Sequence, residues 1–79
     1  MHECASLDQL APGQTGCVVA VRADGTMRRR LLDLGFVPGA AIETIRHSPL
    51  GDPTAYLVKG TLIALRHRDA ALVEMEPNT

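Results

Sequence analysis

The sequence predicts a mainly β fold: a small, partly open barrel of about five strands with one or two short helices. Three observations predict it. Short apolar, β-branched runs recur at close spacing along the 79 residues, with Gly, Pro and Asp clusters between them. One segment only, Thr26 to Leu34, spaces its apolar residues as a helix does. Aromatics are 3% of the chain against 46% hydrophobic residues, so the core rests on Val, Leu, Ile and Ala.

The elements follow in order. Ser6-Leu7-Asp8-Gln9-Leu10 begins with an N-cap residue and stops at Ala11-Pro12-Gly13, which predicts one helical turn. Thr15 to Arg22, with Cys17-Val18-Val19-Ala20-Val21 at its centre, predicts a strand partly buried on both faces. Ala23-Asp24-Gly25 ends it. In the helix Met27, Leu31 and Leu34 share a face with Leu32 at its edge, Thr26 can cap the start, and Gly35 sits at the left-handed C′ position. Phe36-Val37-Pro38-Gly39 then turns the chain, with Pro and Gly where a type II turn prefers them. Four short strands remain. Ala41 to His47 is followed by the loop Ser48 to Pro53; Thr54 to Lys59 pairs with Thr61 to Arg66 across Gly60. A turn at His67-Arg68-Asp69 precedes Ala71 to Glu76, and Pro77 ends the fold. Ile42 and Ile45 cannot share a face of their strand without a bulge.

Length and charge exclude several classes. A chain of 79 residues holds one domain with a small core, too little material for a deep, double-layered cleft. Lys and Arg number 8 against 9 Asp and Glu, a formal charge of −1, whereas nucleic-acid modules usually carry a basic excess. The apolar runs fall far short of the ~20 residues that span a bilayer, and the polar start, Met1-His2-Glu3-Cys4, lacks signal-peptide character. Cys4 and Cys17 are too few for a disulfide framework. They are read as reduced thiols of a cytoplasmic chain, with a single bridge between them as the alternative.

From Arg28 to Gly39 the chain carries a recognisable pattern. Arg30, Leu31, Leu34, Gly35, Pro38 and Gly39 match an Arg-Leu-x-x-Leu-Gly-x-x-Pro-Gly run. With Leu7, Leu10, Pro12, Gly13 and Gly16 before it, Pro49 to Pro53 in the middle and Leu62 to Arg66 near the end, the chain resembles the FeoA family. The resemblance covers residues 6–76, with 1–5 and 77–79 expected as flexible tails. It implies an SH3-like barrel and a cytoplasmic accessory role in bacterial Fe(II) uptake, beside the FeoB permease with its GTP-binding domain. FeoA-like domains also end iron- and manganese-responsive repressors, but this chain has no room for a DNA-binding domain.

Most matching positions have structural explanations, so the working surface must be sought elsewhere. Arg28, Arg29 and Arg30 are placed in the first helical turn, where the dipole already disfavours positive charge, and Asp33 near the end, where it disfavours negative charge. Arg28 and Arg29 are therefore candidates for contact with an acidic patch on a partner, or for holding an anion. The plain alternative is a solvated arginine face, with the Arg30 stem covering core edge. Leu50 and Asp52, in the proline-stiffened loop, are the other candidate partner contacts; Leu50 either projects outward or tucks under the loop.

Metal binding has slight support, with no Cys-x-x-Cys and no His-x-x-x-His. His2, Glu3 and Cys4 are adjacent ligand types that could hold zinc or ferrous iron with a further ligand; no cofactor is required. His47 and His67 stand singly at strand ends and are expected to face solvent. Cys17 sits in an apolar strand, where a thiol is inert, and no catalytic arrangement is present. The leading reading is thus a non-enzymatic interaction module for the permease, without membrane insertion. The alternatives are a metal-sensing domain and, against the charge balance, a nucleic-acid-binding barrel. A homodimer through an uncovered barrel edge stays open.

Overall fold

Strands form where the β-branched runs lie. The computed structural model describes residues 4–78. Along them run β1 (Ala5–Ser6), a 3-10 turn (Leu7–Gln9), β2 (Thr15–Val21), α1 (Gly25–Leu34), β3 (Ala41–His47), β4 (Thr54–Val58), β5 (Thr61–Leu65), α2 (His67–Ala70) and β6 (Val73–Asn78). The strands make one antiparallel sheet in the order β1-β6-β2-β3-β4-β5, so β1 and β5 are its edges. This is the expected mainly β, open architecture, with six strands rather than five. The bulge demanded by Ile42 and Ile45 is present, as the β3–β4 register shifts between Thr44 and Arg46. A second shift, between Val18 and Ala20, bends β2 and leaves Val19 exposed.

Strands β2, β4 and β5 each end one residue before the sequence reading has them, at Val21, Val58 and Leu65, and four departures go further. Ala5 and Ser6, expected in a tail, pair with Met75 and Glu74 as β1. Pro77 does not end the fold, since it pairs with Gly16 inside β6. β1 is so short that β6 is an outer strand beyond Met75, where a residue without an N–H is tolerated. Gly16 makes the pairing possible, because a Cβ there would stand 3.0 Å from Glu76 O and 3.2 Å from Pro77 Cα. The expected turn at His67 is the single-turn helix α2, which delays β6 to Val73. Asp24, not Thr26, is the N-cap of α1, and its side chain makes no cap bond.

The core lies between the inner face of the sheet and the helices. Leu7, Leu31, Phe36, Tyr56, Val73 and Met75 are among its fully buried side chains, and the Phe36 and Tyr56 rings meet edge to face at 6.5 Å. Met27 and Leu34 flank Leu31 as half-buried neighbours, which places α1 against the sheet by the predicted face. Gly35 closes α1 at φ 110°, and Gly39 adopts φ 90° in the predicted type II turn, closed by Ala40 N–H to Val37 O at 2.9 Å.

A Cβ at Gly35 would stand 2.7 Å from Val58 Cγ1, whereas one at Gly39 would meet nothing. Gly35→Ala is therefore expected to cost about 2–5 kcal/mol by urea denaturation, from strain plus overpacking, and Gly39→Ala about 1–2 kcal/mol from strain alone. Equal costs would show that the approach to Val58 does not constrain the fold. Burial pushes the Tyr56 phenol up from 10.0 to about 12. Its contribution is full below pH 10 and is lost as the pH rises through 12. Absorbance titration of this single tyrosine should show the raised midpoint in the folded chain and the ordinary one in denaturant.

Candidate functional site

The helix α1 turns its candidate residues away from the core. With Gly25 as the first helical residue, Arg28, Arg29 and Arg30 fall in the second turn, not the first. The dipole acts mainly on the terminal turn, so their placement opposes it less than the sequence reading held. All three are exposed. Arg28 and Arg29 border a shallow open hollow with Thr26, Leu32 and Asp33. Among the described residues neither forms an ion pair, although Asp33 lies four residues after Arg29.

The loop Ser48–Pro53 is braced from within and from below. Ser48 N–H donates to Pro53 O at 3.0 Å and Gly51 N–H to Ser48 O at 2.8 Å. Two histidines then pin it. His67 Nε2 lies 2.8 Å from Gly51 O, a carbonyl that can only accept, so Nε2 carries the proton. The His67 backbone N–H donates to the Asp52 carboxylate at 2.9 Å. His47 Nδ1 lies 2.7 Å from Thr54 Oγ1, and the two imidazoles stack with centroids 6.0 Å apart. The sequence reading kept these histidines apart as solvent-facing strand ends; they are exposed, yet they meet as a clamp. Only the β3–β4–β5 meander brings them together. Held in this way, the loop presents Leu50 to solvent with 94% of its surface exposed, which resolves the two readings of that side chain. Asp52, the other candidate contact, spends one oxygen on α2.

Of the candidate metal ligands, His2 and Glu3 lie outside the described residues. Cys4 is exposed beside Glu74, whose carboxylate also receives Arg22 Nε at 2.7 Å. The hydrogen bond from the thiol to Glu74, with desolvation and the charge of Glu74, raises the Cys4 pKa. The Arg22 and Cys4 bonds lower that of Glu74. The thiolate is the nucleophile and the metal ligand, so a raised pKa works against both roles. No three His, Cys, Asp or Glu side chains converge as a metal site among the described residues. Cys17 is half-buried in β2 rather than sequestered, and both cysteines are free. No helix among the described residues is long and apolar enough to cross a membrane.

The family model of the FeoA domain matches residues 5–77, which takes in all the described elements but the last residue of β6. The chain belongs to the FeoA family. A curated relative, the Fe(2+) transport protein A/Fe(2+) transporter FeoB fusion protein of Porphyromonas gingivalis, is 37% identical over 70 residues, 89% of this chain. This chain spans only 8% of that relative's length. The FeoA solution structure from Chlorobium tepidum superposes with a TM-score of 0.86 at 35% identity, covering 94% of this chain and 70% of that one. The Stenotrophomonas maltophilia FeoA, solved in complex with zinc and described as a procaryotic SH3 domain protein, gives a TM-score of 0.80 at 31% identity. The shares covered there are 90% of this chain and 88% of the other. The SH3-like fold implied by the sequence pattern is thus that of the family, which is associated with ferrous-iron transport.

The Glu74 clamp is open to test. Glu74→Gln removes both the acceptor charge and the repulsion it exerts on a thiolate, so the Cys4 pKa should fall and its alkylation by iodoacetamide at neutral pH should speed up. Arg22→Gln should raise the Glu74 midpoint in an NMR titration toward the ordinary carboxylate range. An alkylation rate unchanged in Glu74→Gln would show that Glu74 does not govern the thiol.

Proposed function

We propose that this chain is an accessory module of ferrous-iron uptake that docks, on the cytoplasmic side, on a FeoB-type permease and performs no catalysis itself. The observation that carries the reading is the Porphyromonas gingivalis relative, in which a segment like this chain is one polypeptide with the transporter. The surface fits a docking role. It offers exposed arginines on α1, without ion pairs among the described residues, and an apolar tip, Leu50, on a loop fixed beforehand by the histidine clamp. A preordered loop loses little freedom on binding.

Function as an adaptor calls for no resident cofactor, and the metal-sensing alternative has weaker support in the residues. The Stenotrophomonas relative was solved with zinc, yet here the one described candidate ligand, Cys4, is committed to Glu74. Nucleic-acid binding has weaker support, since the formal charge is −1 and the single Phe and the single Tyr, Phe36 and Tyr56, are both buried.

Affinity purification of the permease, with and without guanine nucleotide, tests the proposal. The wild-type chain should be retained, and the double reversal Arg28→Glu with Arg29→Glu should reduce retention by at least about tenfold, as expected when like charges replace complementary ones. Leu50→Asp should weaken it similarly, and both variants should keep the wild-type denaturation midpoint. Retention and iron uptake untouched by the reversal would clear α1 of the role; a wild-type chain that never co-purifies would end the adaptor reading.

A further inference from the structure

The free edge of the sheet has a feature that neither α1 nor the loop shares. β4 and β5 are joined by the two-residue turn Lys59-Gly60, at φ 51° and 80°, with Val58 and Thr61 as the closing pair. In such a hairpin the closing pair exchanges both hydrogen bonds, and bonded and non-bonded pairs alternate from there. Thr61, Ile63 and Leu65 therefore spend their backbone groups on β4. Leu62 and Ala64 point theirs outward, where the sheet has no further strand. Among the described residues no loop or helix backbone reaches them. Protein edges are usually blunted by a charge, a proline or a bulge. Thr61-Leu62-Ile63-Ala64-Leu65 has none, and its register with β4 runs unbroken.

Beside this edge lies a groove of about 310 Å³, walled by α1 on one side and β5 with α2 on the other. Its floor is apolar, formed by Met27, Leu34, Ile63 and Leu65, and its rim carries Arg30, Arg66 and Arg68. Among the described residues Asp69 is the only carboxylate lining it, and it is already 3.9 Å from Arg68 Nε. Arg30 and Arg66 have no ion pair among the described residues.

We propose that this groove takes an extended, acidic segment of a partner protein, which adds as a strand to the outer edge of β5. Backbone groups of the segment satisfy those of Leu62 and Ala64, alternate apolar side chains enter the groove, and its carboxylates meet the arginine rim. A second copy of this chain is disfavoured, because a two-fold pairing would bring two sets of rim arginines together. Arg28, Arg29 and Leu50 do not line the groove, so the proposal stands whether or not those residues face the permease.

The probe is a short, end-blocked, fluorescently labelled peptide alternating valine with glutamate, titrated with the full chain and followed by anisotropy. Binding should weaken as salt rises and be absent for the valine–lysine counterpart. Ala64→Pro removes one outward N–H without touching the β4 ladder, a change an edge tolerates, and should weaken binding about tenfold. N-methylation of the peptide on the positions facing β5 should do the same with the protein unaltered, which covers failure of the proline variant to fold. The pair Arg30→Glu with Arg66→Glu should lose binding as fully as the lysine peptide does. Equal affinity for the lysine or N-methylated peptide, or no binding at millimolar peptide, would overturn the proposal. So would a wild-type dimer in sedimentation that Ala64→Pro dissolves, since the edge would then belong to a second copy.

Discussion

The left-handed turn at Gly35 governs what α1 can present, because the helix reaches β4 there with no room for a side chain. Gly35 N–H and Phe36 N–H return to the last carbonyls of α1, at 3.0 Å on Leu32 and 3.1 Å on Leu31, which satisfies groups that the end of a helix leaves open. The same turn drops Phe36 into the core against Tyr56. Gly39 N–H then reaches Val18 O at 2.8 Å, and Val18 N–H reaches Ala40 O at 2.9 Å, so the chain enters β3 already paired to β2. One cramped position thus fixes the helix, the aromatic contact and the start of the next strand.

That geometry also divides the three arginines. With Leu31 buried, successive residues before it point around the helix at the angular step of an α-helix. Arg28 and Arg29 border an open hollow, whereas Arg30 reaches the groove beside β5. Arg29 and Arg30 also share a hollow with Thr26, Asp33 and Leu34, so the arginine face runs continuously from one surface to the other. The family pattern contains Arg30 along with Leu31, Leu34 and Gly35, which fits a residue placed by the fold rather than by chance exposure.

Local chemistry was legible and long-range meetings were not. The limits of β3, the face of α1, the left-handed cap at Gly35 and the bulge near Ile45 follow from residue type and spacing, and the sequence reading had them. β1 was missed because two residues carry no periodicity; they become a strand only because β6 offers a partner. Pro77 misled because its effect depends on whether a neighbour needs its N–H, and β1 is too short to need it. Asp24 and Thr26 are both good caps, so nothing local chose between them, yet the choice moved three arginines two positions further from the helix start. The clamp of His47 and His67 was beyond reach, since twenty residues separate them and only the β3–β4–β5 meander joins them.

The polar groups that could do chemistry are largely occupied in holding the fold's margins. Asp52 and His67 bind α2 to the loop, and Glu74 gathers Arg22 and the Cys4 thiol at the β1–β6 edge. Among the described residues Arg28, Arg29, Arg30 and Arg66 form no ion pair, and Leu50 and Leu62 are exposed apolar groups. These two kinds of surface act at different ranges. In the proposed docking role, exposed guanidinium groups act on a partner across about 8–10 Å of screened solvent at physiological salt, which sets how fast it arrives. Leu50, Leu62 and the open edge of β5 act only on contact, when water leaves and strand bonds close, which sets how long it stays. A docking module needs both, and a chain this small can supply them without a cleft.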